Sequence, residues 1–264
     1  MEIAGYIAAL LIGISLGLIG GGGSILTIPV LVYLFHIQPS LATGYSLFVV
    51  GCSSLAGAYK NYRRNNINFK AAFYFGIASI ITVLLIRKLL LPVIPEQLFM
   101  IGSLPVTKSL ATMLLFAAVM IIASINMIRK QPLDTNHGTD NHIHLTKALI
   151  RGVEVGILTG LLGAGGGFLI IPVLVFSFHL SMKQAIGTSL LIIAMNSLFG
   201  FAGDLFHQHF NWSLLLPLTA IAVTGTFIGR RLGQDLPGEK LKKWFGWFVL
   251  VMGIYIIIHE LFVK

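Results

Sequence analysis

Two glycine clusters carry the most distinctive chemistry of the chain, Gly20-Gly21-Gly22-Gly23-Ser24 and Gly163-Ala164-Gly165-Gly166-Gly167. Each opens an apolar run that contains a proline, Pro29 in the first and Pro172 in the second. Without a Cβ, consecutive glycines permit a tight turn and let a ligand come close to the backbone. The first N–H groups of the helix that follows lack intrahelical acceptors, and the helix dipole favours negative charge there. Each cluster therefore reads as an anion site built from neutral backbone. Between Met1 and Tyr59 there is no Lys or Arg to serve instead. Small residues also allow close helix packing, but packing explains glycines spaced four apart better than it explains consecutive ones.

Hydroxyl groups recur downstream of each cluster, in Thr43-Gly44-Tyr45-Ser46 and Ile186-Gly187-Thr188-Ser189. Ser46, Thr188 and Ser189 can donate to oxyanion oxygens, and Asn196 with Ser197 lies about two turns further on. The competing reading is that Ser and Thr bond back to carbonyls of their own helix. His36 and His179 are expected to be interfacial residues rather than substrate or proton groups. His137, Asp140, His142 and His144 share a polar linker, where no metal site is expected. One cysteine, Cys52, excludes an intramolecular disulfide and reads as a packing residue. Glu154 and Asp204 sit near span ends, where capping or snorkelling accounts for them. Neither an HExxH metal motif nor a G-x-S-x-G nucleophile elbow occurs, so an enzyme is not expected.

The elements that hold these groups must lie in a membrane. Of 264 residues, 56% are hydrophobic and 10% charged, and the mean hydropathy is +0.90. A soluble domain carries about 25% charge. Apolar stretches run at about 4–36, 42–59, 69–91, 109–128, 148–178, 184–206, 212–229 and 244–262, lengths that suit transmembrane helices. The early residues lack a basic region or a cleavage site, so the first stretch is expected to stay in the mature chain. The excess of 18 Lys+Arg over 9 Asp+Glu reads as loops facing anionic lipid, not as a nucleic-acid surface.

A shift of 143 residues superposes the two halves. Gly17–Leu47 and Gly160–Leu190 are identical at 17 of 31 positions without a gap, and Ser54/Ser197, Gly57/Gly200 and Asn68/Asn211 keep the register. The chain divides into a first repeat, 1–130, a polar cytoplasmic linker, 131–147, and a second repeat, 148–264. Lys60, Arg63, Arg64 and Lys70 put the 60–70 loop inside, whereas its counterpart at 204–211 has no Lys or Arg and reads as outside. These assignments agree if each half is a glycine-broken helical hairpin plus three spans. The expected fold is an all-α integral membrane protein of two inverted-topology repeats. Secondary transporters use this arrangement, with the substrate near the bilayer midplane between halves. Pro29 and Pro172 are expected to kink the half-helices, and Gly225-x3-Gly229 offers a helix-contact face whose first-half counterparts are Thr82 and Ile86.

The doubled GLIGGGGSILTIPVL and GLLGAGGGFLIIPVL elements, Asn196-Ser197, Asn211-Trp212 and Gly225-x3-Gly229-Arg230 resemble the TauE/SafE sulfite exporter family, the 4-toluene sulfonate uptake permease group. Tyr45 departs from the family's usual Thr, and the first half lacks the Gly-x3-Gly-Arg element. The resemblance implies a secondary transporter of small sulfur-containing anions, with sulfite export first and thiosulfate or sulfonate related. A passive anion channel or an organic-anion uptake permease on the same scaffold is the alternative. The expected substrate site comprises Gly20, Gly21, Gly22, Gly23, Ser24, Ser46, Gly163, Gly165, Gly166, Gly167, Thr188, Ser189 and Asn196. Its partners are the anion and the lipid bilayer of a bacterial cytoplasmic membrane, with no cofactor and no nucleic acid, and the reading leaves room for a homo-oligomer.

Overall fold

A computed structural model of the chain describes residues 2–21, 27–28, 30–32, 34–37, 39–90, 93, 95, 97–101, 104–129, 145–162, 167–205, 210–233 and 236–258. Gly22, Gly23, Ser24, Pro29, Gly163, Gly165, Gly166, His137, Asp140, His142 and His144 lie outside the described residues. The described chain is helical almost throughout, as expected where lipid offers the backbone no partners. Its helices are α1 (Glu2–Ile19), α2 (Pro39–Tyr62), α3 (Phe69–Leu85), α4 (Lys108–Ile128) and α5 (Leu145–Leu162), followed by α6 (Gly167–Ser177), α7 (Met182–Asp204), α8 (Trp212–Gly233) and α9 (Gly238–Ile258). A π-helical turn, Ile86–Leu90, extends α3. Among the described residues, Leu41–Tyr62, Met182–Asp204 and Trp212–Gly233 are long and apolar enough to cross a membrane, and Ala4–Ile19, Phe69–Leu85 and Gly246–Ile258 are shorter apolar helices.

One segment departs from the all-helical expectation. Gln97–Ile101 pairs antiparallel with Leu104–Thr107, with Met100 opposite Pro105. Prolines at 92, 95 and 105 disfavour a continuing helix here, and a proline is tolerated in a two-stranded ladder because its missing N–H can face outward.

The helix pairs are set by glycine. A Cβ on Gly13 or Gly17 of α1 would overlap the carbonyls of Ala222 and Thr226 in α8. One on Gly225 or Gly229 would overlap those of Leu10 and Ile14. The two backbones therefore touch along parallel helices, and the Gly225-x3-Gly229 face is a helix contact. The other half repeats the arrangement with coarser parts. Gly152, Gly156 and Gly160 of α5 lie against Phe75 and Ala78, Ser79 and Thr82, and Val83 and Ile86 of α3. Helices α1 and α5 are related by the 143-residue shift, as are α8 and α3. A double glycine seam in one pair is thus a glycine-against-side-chain seam in the other.

Helices α2 and α7 form the central pair and run antiparallel. Leu47 lies against Gly200, Gly51 against Ser197 and Leu198, and Gly57 against Leu190. Helices α4 and α9 also pair antiparallel, with Gly253 on Met120 and Ile121 and Gly246 on Met127 and Ile128. The chain returns to the start of α1 before α2 begins, since Gly5 and Tyr6 lie against the Phe35 ring, the latter with centroids 5.8 Å apart. Phe178, just before α7, reaches Phe75, which also lies against Gly152 in the first half of α5.

Leucine at Gly229 should therefore force α1 and α8 apart and destabilise the fold by about 1–3 kcal/mol, the usual range for overpacking. Alanine at Gly203, where an added Cβ meets nothing within 4 Å, should be neutral. The fraction of detergent-solubilised protein that stays monodisperse after heating checks both.

Candidate functional site

The glycine break begins where α1 ends. Gly20 donates its N–H to Leu16 at 2.8 Å and turns the chain with φ +90°, a conformation that L side chains rarely adopt. Gly20 and Gly21 are buried. A Cβ on Gly20 would lie 3.1 Å from Ser189 Oγ, 3.2 Å from Ile186 and 3.2 Å from Ile171. The first break is thus seated on the second half of the chain, against one of the hydroxyls singled out by its spacing. Along the parallel α1/α8 pair, Gly17 is level with Thr226 and Arg230. Gly20 accordingly lies toward the end of the bundle that carries Arg230, not half-way along it.

Ser189 is buried and its hydroxyl donates to the Ile186 carbonyl at 2.9 Å, the back-bonding alternative. Thr188 is fully buried and its Oγ1 accepts the backbone N–H of Asn68 at 3.0 Å. The 143-residue counterpart of this bond also exists, with the Asn211 N–H donating to Tyr45 Oη at 2.6 Å. Asn68 and Asn211 each turn their side-chain oxygen to the next helix, accepting from Ala71 and Ser213 at 3.0 and 3.1 Å. Tyr45 and Thr188 therefore tie each half's helix start to the other half. This gives the Tyr45 departure a reason, because its longer side chain reaches the same kind of N–H.

Asn196 donates to Ser79 Oγ at 3.1 Å, while its Oδ1 and the hydroxyls of Ser53, Ser54 and Ser197 are buried without partners among the described residues. Ser53/Asn196 and Ser54/Ser197 are repeat counterparts on the central α2/α7 pair. A buried polar atom without a partner carries a desolvation penalty of about 1–3 kcal/mol, so this cluster marks a place where a polar ligand or water is favoured. Ser46 and Gly167 are also buried, the latter at the first residue of α6.

His36 and His179 are exposed and hold φ +53° and +51°. The residue after each donates its N–H back to Leu31 and Leu174, at 3.1 and 3.2 Å. They end the two returning helical segments in left-handed conformation, as glycine more often does. Glu154, in the middle of α5, forms an exposed pair with Arg151 at 2.7 Å.

Basic residues absent from the first span gather beside the end of α1. A recess of about 420 Å³ is lined by Lys60, Arg64, Phe227, Ile228, Arg230 and Arg231. A smaller one of about 90 Å³ shares Arg64 and Arg230 and is bounded by Gly17, Leu18, Asn61, Asn66, Lys183, Ile186 and Gly233. Arg230 is only 8% exposed and donates from Nη2 to the Lys60 carbonyl at 3.0 Å. Lys60 Nζ in turn stands 4.5 Å from the Phe227 ring centroid. The sequence pattern marks Lys60 and Arg64 as topology signals and Arg230 as part of a motif, and gives Lys183 no role. The available signal was Arg230 directly after the Gly225-x3-Gly229 contact face, which fixes where its side chain starts.

The sequence matches the sulfite exporter TauE/SafE family over residues 6–256. The chain belongs to the TauE/SafE sulfite exporter family. It is 28% identical to a probable membrane transporter protein of Xylella fastidiosa, strain Temecula1, over 94% of this chain and 91% of that protein. It is 30% identical to the probable membrane transporter protein YdhB of Bacillus subtilis over 88% and 91%. A probable membrane transporter protein of Methanocaldococcus jannaschii is 25% identical over 96% and 94%. No solved structure matches. This TauE/SafE chain is a membrane transporter, not an enzyme.

Tyr45→Phe and Thr188→Val should each remove the partner of a part-buried N–H and destabilise the protein by about 0.5–1.5 kcal/mol. Their effects should add, because the two bonds share no residue. Thermal unfolding of the single and double variants in detergent checks this.

Proposed function

We propose that the protein is a secondary transporter that exports a small sulfur oxyanion, sulfite first, and holds it at the glycine-broken helix starts. The observation that carries this reading is Gly20, a left-handed turn in the first half that is seated on Ser189 of the second and shares its neighbour Ile186 with a cationic recess. The family's name supports sulfite as the substrate to try first. In this reading Gly20–Gly23 with Ser24 and Ser189 form one site. Gly163, Gly165, Gly166 and Gly167 with Ser46 form its repeat counterpart toward the opposite end of the bundle. Thr188 helps fix the geometry, and the partnerless oxygens of Ser53, Ser54, Asn196 and Ser197 provide polar steps between the two.

The repeats 1–130 and 148–264, joined by the linker 131–147, have inverted topology in this proposal. The support is geometric. Helices α2 and α7 are counterparts by sequence and run antiparallel, as do α4 and α9, while α1 pairs with α8 as α5 pairs with α3. The contacts of Gly5 with Phe35 and of Phe178 with Phe75 support helical hairpins that leave from the end they entered. Because α1 reaches the level of Arg230, these hairpins cross the bundle twice rather than dipping half-way. The end carrying Lys60, Arg64, Lys183 and Arg230 is cytoplasmic by the positive-inside rule. Alternating access then amounts to one repeat moving against the other about the α2/α7 pair.

The test is [³⁵S]sulfite flux in proteoliposomes. Uptake should saturate and be accelerated by unlabelled sulfite on the far side, as a carrier requires and a channel does not. Gly20→Val should reduce flux at least tenfold while the protein still inserts, since a left-handed L residue is strained by about 1–2 kcal/mol. Absence of protein-dependent flux, or normal flux in Gly20→Val, would contradict the proposal.

A further inference from the structure

The two recesses at the basic end share walls but differ in character. The larger opens past Phe227 and the 46% exposed Ile228, and the smaller sits among the ends of α1, α2 and α8 and the start of α7. Five cationic side chains, those of Lys60, Arg64, Lys183, Arg230 and Arg231, line one or both, and no Asp or Glu among the described residues lines either. So many like charges around a small volume raise the free energy of the empty site and favour a counter-anion. Arg230 is the least expected of them. It is more than nine-tenths buried, and among the described residues its guanidinium donates to a neutral carbonyl rather than to a carboxylate. That one bond fixes the guanidinium while leaving other donors of the fork for a ligand.

We propose that these joined recesses are the capture site of the transporter, where a small dianionic oxyanion is held by Arg230, Arg64 and Lys183 before it reaches the Gly20 break. The inference rests on the anion-transport reading and extends it. Gly17, Leu18 and Ile186 bound the smaller recess, and Ile186 also touches Gly20, so the capture site adjoins the break. The order of the parts is physically useful. Strongly charged guanidinium and ammonium groups concentrate an anion from dilute solution, while an uncharged backbone site beyond them binds more weakly and lets it move on. Guanidinium forks match oxyanions in a bidentate manner, which favours species with two or more charged oxygens over halides.

The same chemistry would suit the phosphate of an anionic lipid headgroup, which could enter past Ile228. The burial of Arg230 and the position of the smaller recess among helix ends favour the free ion. Equilibrium binding of [³⁵S]sulfite to the full chain in nanodiscs decides between them. In pure phosphatidylcholine discs, Arg230→Gln and Lys183→Gln should each weaken binding about tenfold, and sulfate should compete far better than chloride. Adding phosphatidylglycerol should leave sulfite binding within twofold. Lys183 is exposed on the first turn of α7, so Lys183→Gln reads the site even where Arg230→Gln fails to fold. Unchanged affinity in Lys183→Gln, or displacement of sulfite by phosphatidylglycerol, would overturn the inference. Wild-type flux with unchanged binding in both variants would sink the capture site and spare the transport reading. Weakened binding in the variants of a protein that moves no sulfite would do the reverse.

Discussion

Backbone-to-backbone contact between helices is the constraint on which the rest of this molecule depends. In a bilayer, apolar side chains gain little by leaving lipid for one another, so helices associate through close packing and polar contacts. Here the packing is done by Gly13 and Gly17 against Gly225 and Gly229, and by Gly152, Gly156 and Gly160 against α3. Both seams join one half of the chain to the other. Neither half is therefore an independent bundle. The seam between α1 and α8 also sets the site, because it places Gly17 on Arg230 and so delivers the Gly20 break to the basic end.

Polar bonds then lock what the glycines bring together. Each loop after the long central helix ends in an asparagine, Asn68 or Asn211, that caps the next helix and gives its N–H to a hydroxyl of the opposite half. The bonds recur with different residue types, Thr188 in one and Tyr45 in the other, so the relationship survives in geometry where identity has drifted. The capture of anions at one end, uncharged backbone beyond it, and partnerless oxygens along α2/α7 make up a graded path in the proposed mechanism. Charge is used where the ion must be collected and withheld where it must be released.

Much of this was legible in the sequence because duplication writes the register twice. The 143-residue shift that aligns Gly17–Leu47 with Gly160–Leu190 also relates Glu2–Ile19 to Leu145–Leu162 at both ends. The small-residue spacing at Gly225 and Gly229 correctly marked a contact face. What stayed hidden depends on contacts between distant residues. No local pattern shows that Arg64, Lys183 and Arg230 converge on one recess beside the end of α1. The left-handed turn that His36 and His179 each make at the end of a helical segment has no local signature in residue type, since glycine more often takes that position. The ladder at 97–107 falls between the apolar stretches 69–91 and 109–128 and has no strand counterpart among the described residues of the second repeat to reveal it.

The central claim is that an anion binds between the Gly20 break, Ser189 and the cations around Arg230. Selenite, a heavier analogue of sulfite, makes that position visible through the anomalous scattering of selenium in crystals of the protein. The account predicts a selenium peak beside Gly20 and Ser189 or in the adjoining recess at Arg230, lost in Lys183→Gln and Arg230→Gln. A peak remote from both, in protein that transports selenite, would contradict it.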